Sequence, residues 1–138
     1  MLHIPTTALR RFIVPLFVLL MAALLPLLWL IGQPLRQAWR RRQIRRRPFP
    51  TEWRRILRER VPYFRNMPAD LQLRLKKHVQ VFLAEKPIIG CGGLVVDDEI
   101  RVTVAAQACL LLLSRRSDYF GELRQILVYP GAFVVDRV

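Results

Sequence analysis

The chain has 138 residues, enough for one domain at most, and its hydrophobic content of 53% is high for a soluble domain. Its formal net charge is +13, yet the first acidic residue is Glu52, so the excess of positive charge is concentrated near the N-terminus. Two cysteines and two histidines are too few for a compact zinc module, and no helix-turn-helix spacing or aromatic platform accompanies the arginines, so we expect no nucleic-acid partner.

An uninterrupted apolar run of 20 residues, FIVPLFVLLMAALLPLLWLI (12–31), contains no charged residue. A helix of that length rises about 30 Å, which is the thickness of the hydrocarbon core of a bilayer. Pro15 and Pro26 are tolerated in a membrane helix as kinks. The run is longer than the apolar region of a cleaved signal peptide, and no small-residue cleavage site follows it. We therefore predict an N-terminal tail over 1–11 and a transmembrane helix over 12–32.

The arginines flank this run unequally, with two before it and seven between it and Glu52. Because loops rich in arginine stay on the cytoplasmic side, we predict a single-pass protein of the bacterial inner membrane with its C-terminal part in the cytoplasm. Residues 33–50 are interpreted as a basic juxtamembrane linker. We expect six of its arginines to contact anionic lipid head groups rather than nucleic acid: Arg40, Arg41, Arg42, Arg45, Arg46 and Arg47.

A proline-containing break, Pro48-Phe49-Pro50, predicts that a globular part begins at residue 51. Thr51 is expected to cap a short helix, and a loop is expected between Pro62 and Pro68. The next helix should end near Lys86, because Pro87 follows. The apolar stripes of these two helices recur at helical spacing: Trp53, Ile56, Leu57 and Val61 in the first, Leu71, Leu75, Val79, Phe82 and Leu83 in the second.

The remaining segment alternates strands with one apolar helix. Short strands are predicted at 88–89 and 94–96 around a glycine-rich turn, then at 125–129 and from 132 onwards. The helix over 99–113 is apolar on nearly all sides, which is typical of a central core helix. We expect four of its residues to be buried while part of its surface stays exposed: Ala105, Ala106, Cys109 and Leu112.

No catalytic, cofactor-binding or metal-ligating residue is assigned from the sequence. Three consecutive acids, Asp97-Asp98-Glu99, suggest a metal or acid–base site, but side chains at adjacent helical positions diverge, so helix capping is the better interpretation. Cys91, Cys109 and His78 lack the close spacing of zinc ligands. The cysteines are expected to be reduced, small buried residues, and His78 a packing or surface residue.

Four stretches closely resemble the N-terminal part of the Mlc titration factor A family of zinc-dependent peptidases. They are RPFPTEWRRIL (47–57), LQLRLKKHVQVFLAEK (71–86), GCGGLVVDDEIRVTVAAQACLLLL (90–113) and ILVYPGAFVV (126–135), in the family's order. The resemblance implies an α+β metallopeptidase fold that is mostly helical with a few short strands, of which residues 51–138 form the N-terminal part. It also implies zinc held by an HExxH helix in full-length members, peptide hydrolysis that includes aminopeptidase activity, and sugar-uptake regulation through a transcriptional repressor.

The HExxH helix of that family follows the ILVYPGAF stretch, and the motif does not occur in this sequence. We therefore expect a membrane-anchored N-terminal fragment of such a peptidase that is inactive alone and binds no cofactor. The alternative is a small membrane-anchored protein-binding module that has lost catalysis.

Overall fold

A computed structural model describes residues 6–114 and 118–131 of the chain. Its elements in chain order are α1 (Thr6–Arg46), α2 (Thr51–Arg60), α3 (Pro62–Arg65), α4 (Ala69–Glu85), β1 (Ile88–Gly90), α5 (Asp98–Leu110) and β2 (Ile126–Val128). This mostly helical arrangement with two short strands confirms the predicted α+β class. The chain divides into two compact units, Met1–Arg40 and Arg41–Val138. The strand predicted from residue 132 lies outside the described residues.

The first unit consists of the apolar part of α1. From Arg10 to Arg46 this helix is long and apolar enough to cross a membrane, and no residue of its most apolar window is buried. Its large side chains are exposed along the whole predicted span, from Phe12 at 78% to Ile31 at 53%. Such a surface suits lipid rather than water, so the helix is a candidate membrane span by length and composition.

The second unit begins within the last turns of α1. The segment predicted as a linker is helical as far as Arg46, because the residues that follow Pro34 are mostly leucine, arginine, glutamine and alanine, which have high helix propensity. The helix ends before Pro48-Phe49-Pro50, as those prolines predict. Buried Gln80 donates its side-chain amide to the carbonyl oxygens of Arg47 and Pro48, at 3.2 and 3.3 Å, and so supports the break.

The core of the second unit lies where α5 packs against α2 and α4. Both predicted apolar stripes face it, which confirms their helical spacing; Trp53 and Leu71 are half-buried at its edge. The four residues of the predicted 99–113 helix that are expected to be buried are buried: Ala105, Ala106 and Cys109 in α5, and Leu112 just after it. Leu111, which also follows α5, is 66% exposed, so the 99–113 segment is only partly covered. The fully buried side chains include Leu57, Phe64, Leu75, Val79, Phe82, Val102 and Cys109.

Four local predictions are wrong. Thr51 makes no side-chain cap, because α2 begins at Thr51 itself and Pro50 takes the capping position. The segment between Pro62 and Pro68 contains α3, since Pro62 is suited to a first helical position. Helix α5 ends at Leu110 and continues to residue 113 only as tight turns. Residues 94–96 form no strand, because no described strand pairs with them.

Strands β1 and β2 are parallel neighbours, with Ile88 opposite Ile126, Ile89 opposite Leu127, and Gly90 opposite Val128. Helix α5 lies between them in the sequence, as a parallel connection requires. The turn after β1 contains Gly92 and Gly93 with φ of +61° and +80°, a region that glycine adopts without a steric penalty.

Candidate functional site

A connected group of polar side chains surrounds Tyr119 in the described part of the second unit. We call it the Tyr119 cluster and define it as Arg41, Arg45, His78, Glu85, Asp118 and Tyr119. The last turns of α1 contribute its two arginines, α4 contributes the histidine and the glutamate, and the segment after α5 contributes the other two residues. The cluster therefore joins three parts of the chain that are far apart in sequence.

Arg41 makes the strongest ionic contacts of the cluster. Its Nε and Nη2 donate to the two carboxylate oxygens of Glu85 at 2.6 and 2.9 Å, and its Nη1 donates to Asp118 at 3.0 Å. The Arg41 and Glu85 side chains are only 15% and 13% exposed. The hydrogen bonds that Arg41 donates to Glu85 raise the pKa of Arg41, although burial opposes this. Arg41 is therefore engaged by two carboxylates of the second unit.

Tyr119 is 2% exposed, and its hydroxyl lies between two cluster partners. Arg45 Nη2 donates to that oxygen at 2.7 Å, and His78 Nδ1 lies 2.7 Å away on the other side. Because the oxygen already accepts from arginine, its single proton can be donated to Nδ1 of a neutral His78. The guanidinium of Arg41 also lies 4.8 Å from the Tyr119 ring centre, which is a cation–π distance.

The backbone at Tyr119 and Phe120 is strained, and the buried side chain of Lys86 donates hydrogen bonds to this segment. Tyr119 and Phe120 have φ of 52° and 53°, which bulky residues rarely adopt. Lys86 is 8% exposed, and its ammonium donates to the carbonyl oxygens of Phe120 and Leu123 at 2.9 and 2.6 Å. Two charge-assisted hydrogen bonds thus stabilise the turn that places Tyr119 in the cluster.

The chemistry of the Tyr119 cluster is that of a structural clamp. Its cationic groups contact its acidic groups and its tyrosine, and none of its members is a serine or cysteine nucleophile. Sequence reasoning missed it because its hydrogen-bonded partners are 41 to 77 residues apart. In the sequence, nothing distinguishes Arg41 from Arg40 and Arg42 beside it, which have no acidic partner among the described residues.

The three consecutive acids serve separate purposes, as the capping interpretation predicts. The Asp97 carboxylate accepts the backbone N–H of Ile100 at 2.8 Å and caps α5. Asp98 accepts the indole N–H of Trp53 at 3.2 Å, and Glu99 pairs with Arg60 at 2.6 Å. The three carboxylates therefore do not converge on one point.

The other candidate ligands are also kept apart. Cys109 is fully buried, and burial raises the pKa of its thiol to about 12, whereas Cys91 is half-buried, contrary to the expectation that both are buried. The Nδ1 atom of His78 is hydrogen-bonded to the Tyr119 hydroxyl, 2.7 Å away. Across residues 6–114 and 118–131 no three His, Cys, Asp or Glu side chains could hold one metal ion. The described residues therefore do not fit the zinc that the family resemblance implies.

A cleft of about 260 Å³ lies beside α2 and α4. Trp53, Pro48, Pro50, Leu83 and Ala84 are among its lining residues, with Arg47 and Arg101 as its charged groups. Arg101 is partly neutralised by Asp98, 3.6 Å away. The cleft contains no described group that could act as an acid, a base or a nucleophile.

Comparison with known proteins covers most of the chain. The family described as glucose-regulated metallo-peptidase M90 matches residues 35–138. An uncharacterized protein of Synechocystis, slr2042, is 39% identical over 107 residues, which are 78% of this chain. Proteins named Mlc titration factor A from Enterobacter and Salmonella arizonae are each 29% identical over 76 residues, 55% of this chain. No solved structure matches.

The matched region is a minor part of these relatives. It spans 39% of the Synechocystis protein, and 29% and 30% of the two titration factors. The match to the metallopeptidase family begins at residue 35, four residues after the apolar run of α1 ends.

Proposed function

Because the chain belongs to the glucose-regulated metallopeptidase M90 family, we propose that it is the membrane-anchored N-terminal portion of such a peptidase. The observation that carries this proposal is the direct succession of the two regions, since α1 exposes an apolar surface up to Ile31 and the family match begins at residue 35. A helix of this kind would hold the family domain at the surface of the bacterial inner membrane, with residues 33–138 in the cytoplasm.

Fewer arginines of the basic segment are proposed to contact lipid than the sequence alone suggests. Arg41 pairs with Glu85 and Asp118, and Arg45 donates to Tyr119, so these two are engaged by protein groups. Arg40, Arg42, Arg46 and Arg47 have no acidic partner within the described part of the chain. We propose that these four contact anionic head groups, each contributing about 1 kcal/mol near the membrane surface.

The catalytic part of the proposal concerns the family rather than the described residues. Peptide hydrolysis with zinc needs about three protein ligands and a general base near the bound water. We propose that these groups lie downstream of the matched region, in the part of the relatives that this chain does not match. The Enterobacter and Salmonella relatives are named for the titration of Mlc, which supports Mlc as a candidate partner. We propose that it is the transcriptional repressor of sugar-uptake regulation that the family resemblance implies.

A second candidate function is a membrane-anchored protein-binding module without catalysis. It is favoured by the observation that the second unit forms its own buried core from α2, α4 and α5, so it has a folded surface to present. The DNA that follows codon 138 separates the two candidates. An HExxH codon series downstream in any frame supports the peptidase, whereas a stop with no such remnant supports the module.

Membrane anchoring is tested by extraction of the full chain from bacterial membranes. We expect it to stay with the membrane in alkaline carbonate and to be released by detergent. A variant with Leu20→Arg and Leu28→Arg places two charges in the apolar run and should be released by carbonate, since each charge costs about 3 kcal/mol at the centre of a helix. The matched control, Leu73→Arg and Tyr63→Arg on the exposed surface of the second unit, should remain. Carbonate release of the unaltered chain would contradict the anchor.

A further inference from the structure

The two strands divide their side chains cleanly between two faces. Ile88 and Ile126 pack against the core on one face, whereas their neighbours Ile89 and Leu127 point to the other and are 42% and 48% exposed. Since Ile89 and Leu127 are opposite each other in the register, their side chains lie side by side.

The same exposed face continues past the strands. Tyr129 lies two residues after Leu127 and is 42% exposed, and half-buried Cys91 lies two residues after Ile89 on the neighbouring strand's side of the pair. We call these four residues the outer sheet face: Ile89, Cys91, Leu127 and Tyr129. Parallel sheets are almost always covered on both faces, so an apolar outer face of a parallel pair indicates a missing layer.

The lengths of the relatives indicate what that layer is. The chain matches 39% of the Synechocystis protein and about 29% of the titration factors, so most of each relative lies outside the matched region. The described part of the matched region leaves Ile89 and Leu127, on one face of its parallel pair, 42% and 48% exposed. An apolar surface of this kind is suited to an apolar segment of the polypeptide that the relatives have outside the matched region.

We propose that the outer sheet face is the docking surface for an apolar segment of the downstream part of the M90 domain. The inference rests on the proposal that the peptidase domain extends beyond the matched region, and is independent of membrane anchoring. Burial of Ile89 and Leu127 would then join the N-terminal portion to the catalytic portion, and loss of this contact would separate them.

Cys91 is a built-in probe for this contact, because it lies on the outer sheet face and is half-buried, while Cys109 is buried in the core. The experiment compares the full chain with the same chain extended at Val138 by the residues that follow the matched region in the Synechocystis relative. Both are reconstituted in lipid nanodiscs, and the rate of thiol alkylation at each cysteine is measured by mass spectrometry. We expect Cys91 to react at least about tenfold more slowly in the extended chain, which corresponds to a covered state populated ten to one.

Two variants test whether the protection arises at this face. Leu127→Asp should restore the reactivity of Cys91 in the extended chain, because the charge would be buried at the contact. The matched control is Leu73→Asp on α4, where the side chain is equally exposed at 49% and the protection should persist. In the unextended chain neither substitution should alter the circular dichroism spectrum, because both side chains are exposed there.

Three results would overturn the proposal. Equal Cys91 rates in the two chains would show that the downstream segment does not cover this face. Protection of Cys91 in the unextended chain that rises with its concentration would assign the face to a second copy. A reactive Cys109 in the extended chain would show that the added segment disrupts the core instead of docking. Zinc content of the extended chain, measured in parallel, reports on the proposed peptidase separately from the docking.

Discussion

Arg41 and Glu85 are 44 residues apart in the chain and meet in a two-point ion pair, with Nε to Oε1 at 2.6 Å and Nη2 to Oε2 at 2.9 Å. A planar guanidinium that matches both oxygens of a carboxylate is selective for one geometry. The pair therefore fixes the last turns of α1 against the end of α4, within the second unit.

Removal of this pair should destabilise the second unit. We expect Glu85→Gln to lower its free energy of unfolding by about 2–3 kcal/mol, because the substitution leaves the largely buried Arg41 without its main partner. Urea unfolding followed by near-UV circular dichroism measures the change. The control is Glu52→Gln, whose partner Arg55 is 63% exposed, and we expect it to change stability by less than about 1 kcal/mol. Equal effects of the two substitutions would show that the pair at Arg41 is not a clamp.

Stability should also fall at mildly acidic pH because of His78. Burial, followed by the charges of Arg45 and Arg74, lowers the pKa of His78 below its ordinary value of 6.5. Between that lowered pKa and 6.5 the unfolded chain binds a proton that the folded chain does not, so this contribution is complete above 6.5 and is lost as the pH falls below it. Protonated His78 would also have to donate to a Tyr119 oxygen that already accepts from Arg45.

Denaturant titrations at about pH 7.5 and about pH 5.5 measure the effect. We expect the unaltered chain to lose stability between these values and His78→Gln to lose less. An identical pH dependence in the variant would contradict the assignment to His78.

The two cysteines should differ sharply in reactivity. Burial raises the pKa of Cys109 to about 12, so at about pH 8 it is almost entirely an unreactive thiol in a closed core. Cys91 is half-buried beside β2 and should take up an alkylating reagent first. Mass spectrometry of the digested protein measures both sites. In urea the two rates should converge, and rapid labelling of Cys109 in the native chain would contradict the buried position of α5.

Orientation in the membrane follows from the seven arginines that stand between the apolar run and Glu52, against two before it. We expect alkaline phosphatase, which is active only in the periplasm, to be silent when fused at Val138, and a cytoplasmic fluorescent reporter to be active there. The seven arginines changed together to glutamine should weaken this preference. Strong phosphatase activity from the unaltered chain would reverse the predicted topology.

The chain alone should bind no stoichiometric zinc and hydrolyse no peptide. In the described part of the second unit the potential ligands His78, Cys91 and Cys109 are not grouped, and the three acids 97–99 are engaged separately. Metal analysis of the detergent-purified chain and a fluorogenic aminopeptide assay provide the measurement. Stoichiometric zinc, or turnover that a chelator removes and that Cys91→Ala lacks, would reveal a site.

Several elements could be predicted from local sequence because their causes are local. The spacing of Leu75, Val79 and Phe82 directs one side of α4 to the core, and Pro87 prevents the helix from continuing. Asp97 caps α5 because its side chain reaches the N–H three residues ahead. The predicted strand at 94–96 failed for the opposite reason, since a strand needs a partner that a local pattern does not supply.

The apolar helix, the proline breaks, the amphipathic stripes and the family could all be predicted from the sequence. Each depends either on residues adjacent in the chain or on several stretches in a fixed order. The fold was needed to identify which arginines are engaged by protein groups, since Arg41 and Arg45 differ from Arg40 and Arg42 in contacting Glu85 and Tyr119. The outer sheet face likewise could not be predicted from the sequence. The register of β1 with β2, and not the composition of either strand, brings Ile89 and Leu127 together on the uncovered side.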